Sequence, residues 1–182
     1  MKNLRPTASG RFRPARRQRG ASLLEGIAYL GIAAIIILGA VSLLISAFSG
    51  ADTNRLLQET TAIRTSVKKL YMGQSASYGT ASLNTDLIAA NAFPTTLAVS
   101  GANVTDAWNG AVDVTGATSQ FTISYALVPK DVCINALAAS SGWIKLTVNG
   151  NDIATFPITP TVATANCDNS VNSANTIVWT AN

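Results

Sequence analysis

The chain has 182 residues, with 13 Lys and Arg, nine Asp and Glu, and no histidine. This length suits one domain plus an anchor, and the lack of histidine removes the commonest general base and metal ligand. The formal charge of +4 is local: Lys2, Arg5, Arg11, Arg13, Arg16, Arg17 and Arg19 fall in residues 1–20, which hold no acid, and the remainder carries a net −3. Total charge is therefore no argument for nucleic-acid binding once that stretch is set apart.

Residues 1–20 are rich in Arg, Pro, Gly and Ser, and read as a solvated leader. Residues 21–48 form a long apolar run in which Glu25 is the only charged side chain. About 20 helical residues span a bilayer core, so this run is long enough. Basic residues before it keep the N-terminal side cytoplasmic and send the C-terminal part outward. The run is too long for a signal-peptide core and no A-x-A site follows, so it is kept.

Residues 49–73 change to an amphipathic pattern, with Leu56, Ile63, Val67 and Leu70 on one face and Ala62 and Tyr71 beside them. Arg55, Glu59, Arg64 and Lys68 fall largely elsewhere. Lys68 and Lys69 suit the last turn, and Gly73 suits the stop. Residues 21–71 are expected to form one helix, weakest at Gly31, Gly39 and Gly50.

Residues 74–107 read as a polar connection anchored by Tyr78, Leu83, Leu87, Ile88, Phe93 and Pro94, with a short helix near 84–90. Strands are expected at 111–114, after a Trp-Asn-Gly turn, and at 120–128, where Phe121, Ile123, Tyr125 and Leu127 alternate. Further strands are expected at 143–148, 153–156 and 176–180, and a short helix at 131–139. Asn149-Gly150 signals a hairpin. The fold class is α+β: a long N-terminal helix, half hydrophobic and half amphipathic, on a C-terminal antiparallel sheet. Residues 74–182 form its globular part.

The carboxylate of Glu25 needs a reason. Ser22-Leu23-Leu24-Glu25 fits a capping box. An acid in the first turn of a membrane helix is nonetheless costly unless paired, and such acids are usually functional. The next cation downstream is Arg55, about 45 Å away along a helix.

The stretch Arg19-Gly20-Ala21-Ser22-Leu23-Leu24-Glu25 resembles the prepilin-peptidase site of type IV pilins. The resemblance implies cleavage between Gly20 and Ala21, methylation of the new N-terminus, and Glu25 as fifth mature residue. It further implies that Glu25 pairs with the terminal amine of a neighbouring subunit, since each buried charge needs the other. The long leader, and the stretches Leu70-Tyr71-Met72-Gly73-Gln74 and Trp108-Asn109-Gly110-Ala111-Val112, resemble the type IVb branch, with its bundle-forming and conjugative thin pilins. Ser42 stands where type IVa pilins carry a helix-breaking proline. Any melting of the helix in a fibre would start at Gly39 or Gly31.

Cys133 and Cys167 are the only cysteines. In an exported domain they should pair, closing a loop of about 35 residues worth roughly 4 kcal/mol; the alternative is two buried thiols. The resemblance implies the pilin C-terminal disulfide, bounding a surface-exposed region over 133–167. Trp108, Trp143 and Trp179 read as core, since a stacking platform needs basic neighbours. Asn103-Val104-Thr105 matches a glycosylation sequon, a pattern that arises easily by chance.

Enzyme motifs are missing: there is no phosphate-cradling loop, no HExxH and no CxxC, and Asp86, Asp106, Asp113, Asp131, Asp152 and Asp168 are scattered. No catalytic residue, metal site or cofactor is expected, and no specific nucleic acid. The expected role is the major structural subunit of a pilus. Its partners would be sister copies, the peptidase, an inner-membrane assembly platform with its ATPase, and the membrane before assembly. It would start in the inner membrane and end in a fibre on the cell surface. A minor pilin, a secretion pseudopilin and a monomeric anchored binding module are the alternatives.

Overall fold

The computed structural model describes residues 22–74, 77–167 and 174–182. Two compact units divide at Ser42–Leu43. The first contributes the opening turns of helix α1 (Leu23–Leu70). Its apolar side chains, among them Leu23, Ile27, Leu30, Ile35 and Leu38, are exposed. Gly31 and Gly39 lie inside unbroken helix, as does Gly50 further on.

The second unit holds the rest of α1 and everything after it. Here α1 buries Thr53, Leu56, Glu59, Thr60, Ile63 and Val67, a stripe at intervals of three and four that marks one helical face. This stripe joins one core with the inward side chains of a five-stranded sheet. The strands are β3 (Val112–Ala117), β4 (Gln120–Val128), β5 (Lys145–Val148), β6 (Asn151–Ile153) and β7 (Asn175–Ala181). They lie in the order β3-β4-β7-β5-β6, and every pair is antiparallel. Strict alternation puts Phe121, Ile123 and Tyr125 of β4 inside, with Ile177 and Trp179 of β7. Tyr125 meets Trp179 edge to face at 5.8 Å between centroids.

The connection from α1 to the sheet carries helix α2 (Asn84–Ala89) and a small hairpin, β1 (Ala98–Ser100) with β2 (Asn103–Thr105). Residues 77–84 lie along the outer edge of β3. Tyr78 N–H donates to Thr118 O at 2.7 Å, Gly116 N–H to Ala81 O at 3.0 Å, and Leu83 N–H to Val114 O at 2.8 Å. Asn84 completes the seam, donating to Val112 O and accepting from Val114 N–H. This edge is thus satisfied rather than open to a stray strand. Gly116 permits the approach, since a Cβ there would lie 2.0 Å from Tyr78 O.

Helices α3 (Lys130–Ala139) and α4 (Pro160–Asn166) flank the β5–β6 hairpin in sequence. Thr159 caps α4 and Pro160 opens it, a pairing that suits a helix start.

Several expectations need correction. Leu70 and Ala62 are exposed, while Glu59 sits on the buried face with Leu56 and Ile63. The return strand of the hairpin is Asn151–Ile153 rather than 153–156, because a two-residue turn lets pairing resume at once. The 74–107 connection contains a hairpin that its polar sequence did not announce. Leu127 is exposed instead of continuing the inward alternation. Its φ of +58° coincides with a register shift between Tyr125 and Val128, a bulge that turns the side chain out. The stretch 133–167 is exposed at many positions, among them Gly142, Asn149, Gly150 and Asp152, and it also contributes to the core. It supplies Ala136, Leu137, Leu146, Val148 and Ala163, all fully buried.

Candidate processing and assembly residues

Glu25 lies in the first turn of α1, three residues after Ser22. The carbonyl of Ser22 accepts the N–H of Gly26 at 3.1 Å. The Glu25 carboxylate is exposed, and Tyr29 one turn on donates its hydroxyl to Oε1 at 3.4 Å. That contact is long for an O–H donor, and no cation of the described residues pairs with Glu25. Gly20 and Ala21 lie outside the described residues. Among those residues α1 is the one helix long and apolar enough to cross a membrane, by length and composition.

A second acidic cluster was not singled out from the sequence. Glu59 is 5% exposed. Its Oε1 accepts from Arg55 Nε at 2.8 Å and its Oε2 accepts the Tyr125 hydroxyl at 3.3 Å. The other arm of Arg55 donates to Thr96 O. The carboxylate thereby ties α1 to β4, and its cation ties α1 to the loop before β1. Burial pushes the Tyr125 phenol far above its ordinary range, with the charge and hydrogen bond of Glu59 adding to the rise.

Asp106 belongs to the same neighbourhood. Its Oδ1 accepts Trp108 N–H at 2.9 Å and Gly110 N–H at 2.8 Å, so the side chain holds the Trp-Asn-Gly turn closed. Oδ2 is buried without a hydrogen-bond partner. Burial raises the Asp106 carboxyl above the usual carboxylate range. The two backbone N–H groups pull it down less strongly, and the charge of Glu59 adds to the rise. Asn109 takes φ +64°, which asparagine tolerates. A Cβ on Gly110 would lie 2.0 Å from Ala126 O. The turn read from the sequence thus has a packing reason for its glycine.

Cys133 and Cys167 form a disulfide, with Cα atoms 5.9 Å apart. The bond links the first turns of α3 to the residue after α4, and both sulfurs are fully buried. Trp179 is fully buried, whereas Trp108 and Trp143 are half-buried against the core. Arg64 lies 4.8 Å above the Trp143 ring, a cation–π contact that pins the loop before β5 to α1. Among the described residues no group of three or more acidic or cysteine side chains could hold a metal.

A family model described as PilS N terminal matches residues 50–182. The chain belongs to this family of type IVb pilins. The pilin is also similar in fold to the crystal structure of a type IVb pilin from Salmonella typhi. The TM-score is 0.56 at 22% identity, over 68% of this chain and 95% of that one. No curated protein matches the sequence. A pilin is a structural subunit, and its family implies polymerisation into a filament. The apolar start of α1 fits a membrane-anchored precursor.

Proposed function

We propose that this pilin is the major, repeating subunit of a type IVb pilus. Prepilin peptidase cuts between Gly20 and Ala21 and methylates the new amine. The observation that carries the reading is Glu25: it is the only charged side chain between Gly20 and Asp52, and it stands in the first turn of an exposed apolar helix. Cleavage removes the upstream arginines and creates a cation on every mature copy. The Glu25 carboxylate of one subunit then pairs with the terminal amine of its neighbour, and neither charge is left alone in a dry fibre core.

The same apolar face spans lipid before assembly and packs against sister helices afterwards. Transfer by an inner-membrane platform and its ATPase then need not expose it to water. The assembly is heterologous and does not close, so it grows as a fibre. Its outer surface, rich in Ser, Thr, Asn and Ala, suits adhesion, aggregation or mating contact between cells.

The intact mass of subunits from sheared filaments tests this. The expected mass is that of residues 21–182 with one added methyl. An uncleaved chain confined to membranes would overturn the proposal. Glu25→Ala should still be cleaved yet fail to build fibres unaided. Normal fibre yield from that variant would refute the pairing.

A further inference from the structure

The β5–β6 turn joins chemical reactivity to tight restraint. Asn149 and Gly150 are both exposed and take φ of +51° and +87°. An asparagine followed by glycine is the dipeptide most prone to deamidation. Without a Cβ, the glycine nitrogen meets little obstruction in reaching the asparagine side-chain carbon. That attack requires the side chain to swing back toward its own C-terminal neighbour.

At Asn149 the side chain is held elsewhere. Its Nδ2 donates to Asn166 O and to Asn175 Oδ1, each at 2.9 Å. Its Oδ1 accepts Thr176 N–H at 3.0 Å, and its backbone N–H donates to Thr176 O at 3.0 Å. Asn175 is fully buried and is itself anchored, with Nδ2 donating to Val128 O at 3.1 Å. Asn166 directly precedes Cys167, half of the disulfide. The one amide therefore links the β5–β6 turn to β7 and to the end of α4.

We propose that Asn149 is a gated deamidation site, unreactive while the disulfide-bounded region is closed on β7 and reactive once it opens. In the open state the Gly150 nitrogen gives its proton to solvent base and bonds to Cγ of Asn149. The Cγ–Nδ2 bond breaks and ammonia leaves, so the product is a succinimide. Water then opens this ring at either carbonyl and yields aspartate or isoaspartate. No oxidant or further reactant is needed.

Either product prevents closure. A carboxylate cannot donate, yet it would face two acceptor oxygens, on Asn166 and Asn175, where the amide had donated to both. Isoaspartate also lengthens the backbone of a two-residue turn by one carbon. Each opening thus carries a chance of becoming permanent. On a protein held outside the cell, the modified fraction would record how often the region has opened.

The test uses the full chain in detergent micelles in mildly alkaline buffer, with peptide mapping for the one-dalton gain and for isoaspartate. Three samples are compared: the native chain, the chain with its disulfide reduced, and a free peptide of residues 146–153. Three hydrogen bonds must be released together, so the native chain should react on the order of tenfold or more slowly than the peptide. Reduction should move its rate toward that of the peptide, and Asn175→Ala should do so with the disulfide intact. Gly150→Ala should suppress the reaction in the reduced chain.

Equal rates in the native chain and the peptide would overturn the proposal, as would no response to reduction. If Asn175→Ala does not fold, the reduction series on the unaltered chain still decides the matter.

Discussion

Tyr125 on β4 donates a hydrogen bond from its hydroxyl to Glu59 on α1, at 3.3 Å within the buried core. The pair joins positions 66 residues apart in sequence. It is the polar joint between the helix and the sheet, with Arg55 supplying the counter-charge from the helix side.

Removing one member of this joint should cost more than removing the hydroxyl alone. Glu59→Ala deletes a buried carboxylate and leaves Tyr125 without an acceptor. A loss of about 3 kcal/mol is expected. Tyr125→Phe leaves the Arg55–Glu59 pair intact and should cost about 1 kcal/mol. Urea unfolding of the full chain in micelles, followed by tryptophan fluorescence, gives both values. Equal costs would contradict this ranking.

The raised carboxyl of Asp106 implies a pH dependence with a definite sign. The folded chain holds this proton at a higher pH than the unfolded chain, whose aspartates titrate near about 3.9. Between those two values the folded state binds more protons, so this group's contribution to stability falls as pH rises through that window. Asp106→Asn keeps an acceptor for Trp108 and Gly110 and carries no charge. Its unfolding midpoint should exceed that of the unaltered chain at pH 7, and the gain should shrink toward pH 4. A midpoint lower at every pH would count against burial as the dominant influence. Asp106→Ala, which strands the buried N–H of Gly110 and the part-buried N–H of Trp108, should lose about 2–4 kcal/mol.

Gly110 and Gly116 should resist any side chain. An added Cβ would meet Ala126 O or Tyr78 O at 2.0 Å in each case, and both obstacles are backbone. Gly110→Ala and Gly116→Ala should each destabilise by about 2 kcal/mol or more. Gly50→Ala, where nothing lies within 4 Å of the added carbon, should be neutral or gain up to about 1 kcal/mol from helix propensity. Thermal unfolding of the three variants side by side tests the contrast.

Replacing Cys133 and Cys167 together by Ala should cost up to about 4 kcal/mol, on the chain-entropy model. The loss should appear as a lower unfolding midpoint with the fold retained, since α3 and β5 keep their buried side chains. An unchanged midpoint would show that the region is held by packing alone.

The sequence made the regular parts legible. Period-two alternation gave β4 to the residue, from Gln120 to Val128. Asn149-Gly150 located the hairpin, and the spacing of Leu56, Ile63 and Val67 gave the buried face of α1. The elements that escaped were set by long-range contact or by weak local signals. The β1–β2 hairpin spans three residues a side and shows only Val104 to the core. Helix α4 did have a local signal in Thr159-Pro160, a cap followed by a first-turn proline. Glu59 looked like one more surface charge, because its partner Tyr125 is brought to it only by the packing of β4 under α1. Glu25 is the reverse case: its local sequence marks it out, yet no residue of its own chain among those described supplies a cation for it.

The strand order β3-β4-β7-β5-β6 sets a timetable for maturation. β3–β4 and β5–β6 can each close as hairpins when their own residues are available. They share no ladder with each other, because β7 lies between them and bonds to both. A chain that emerges N-terminal end first therefore presents two half-sheets with raw inner margins until Asn175–Ala181 arrives. Such margins pair readily with the wrong neighbour. A subunit whose family assembles into filaments has most need of shelter in that interval, and β7 acts as the seal.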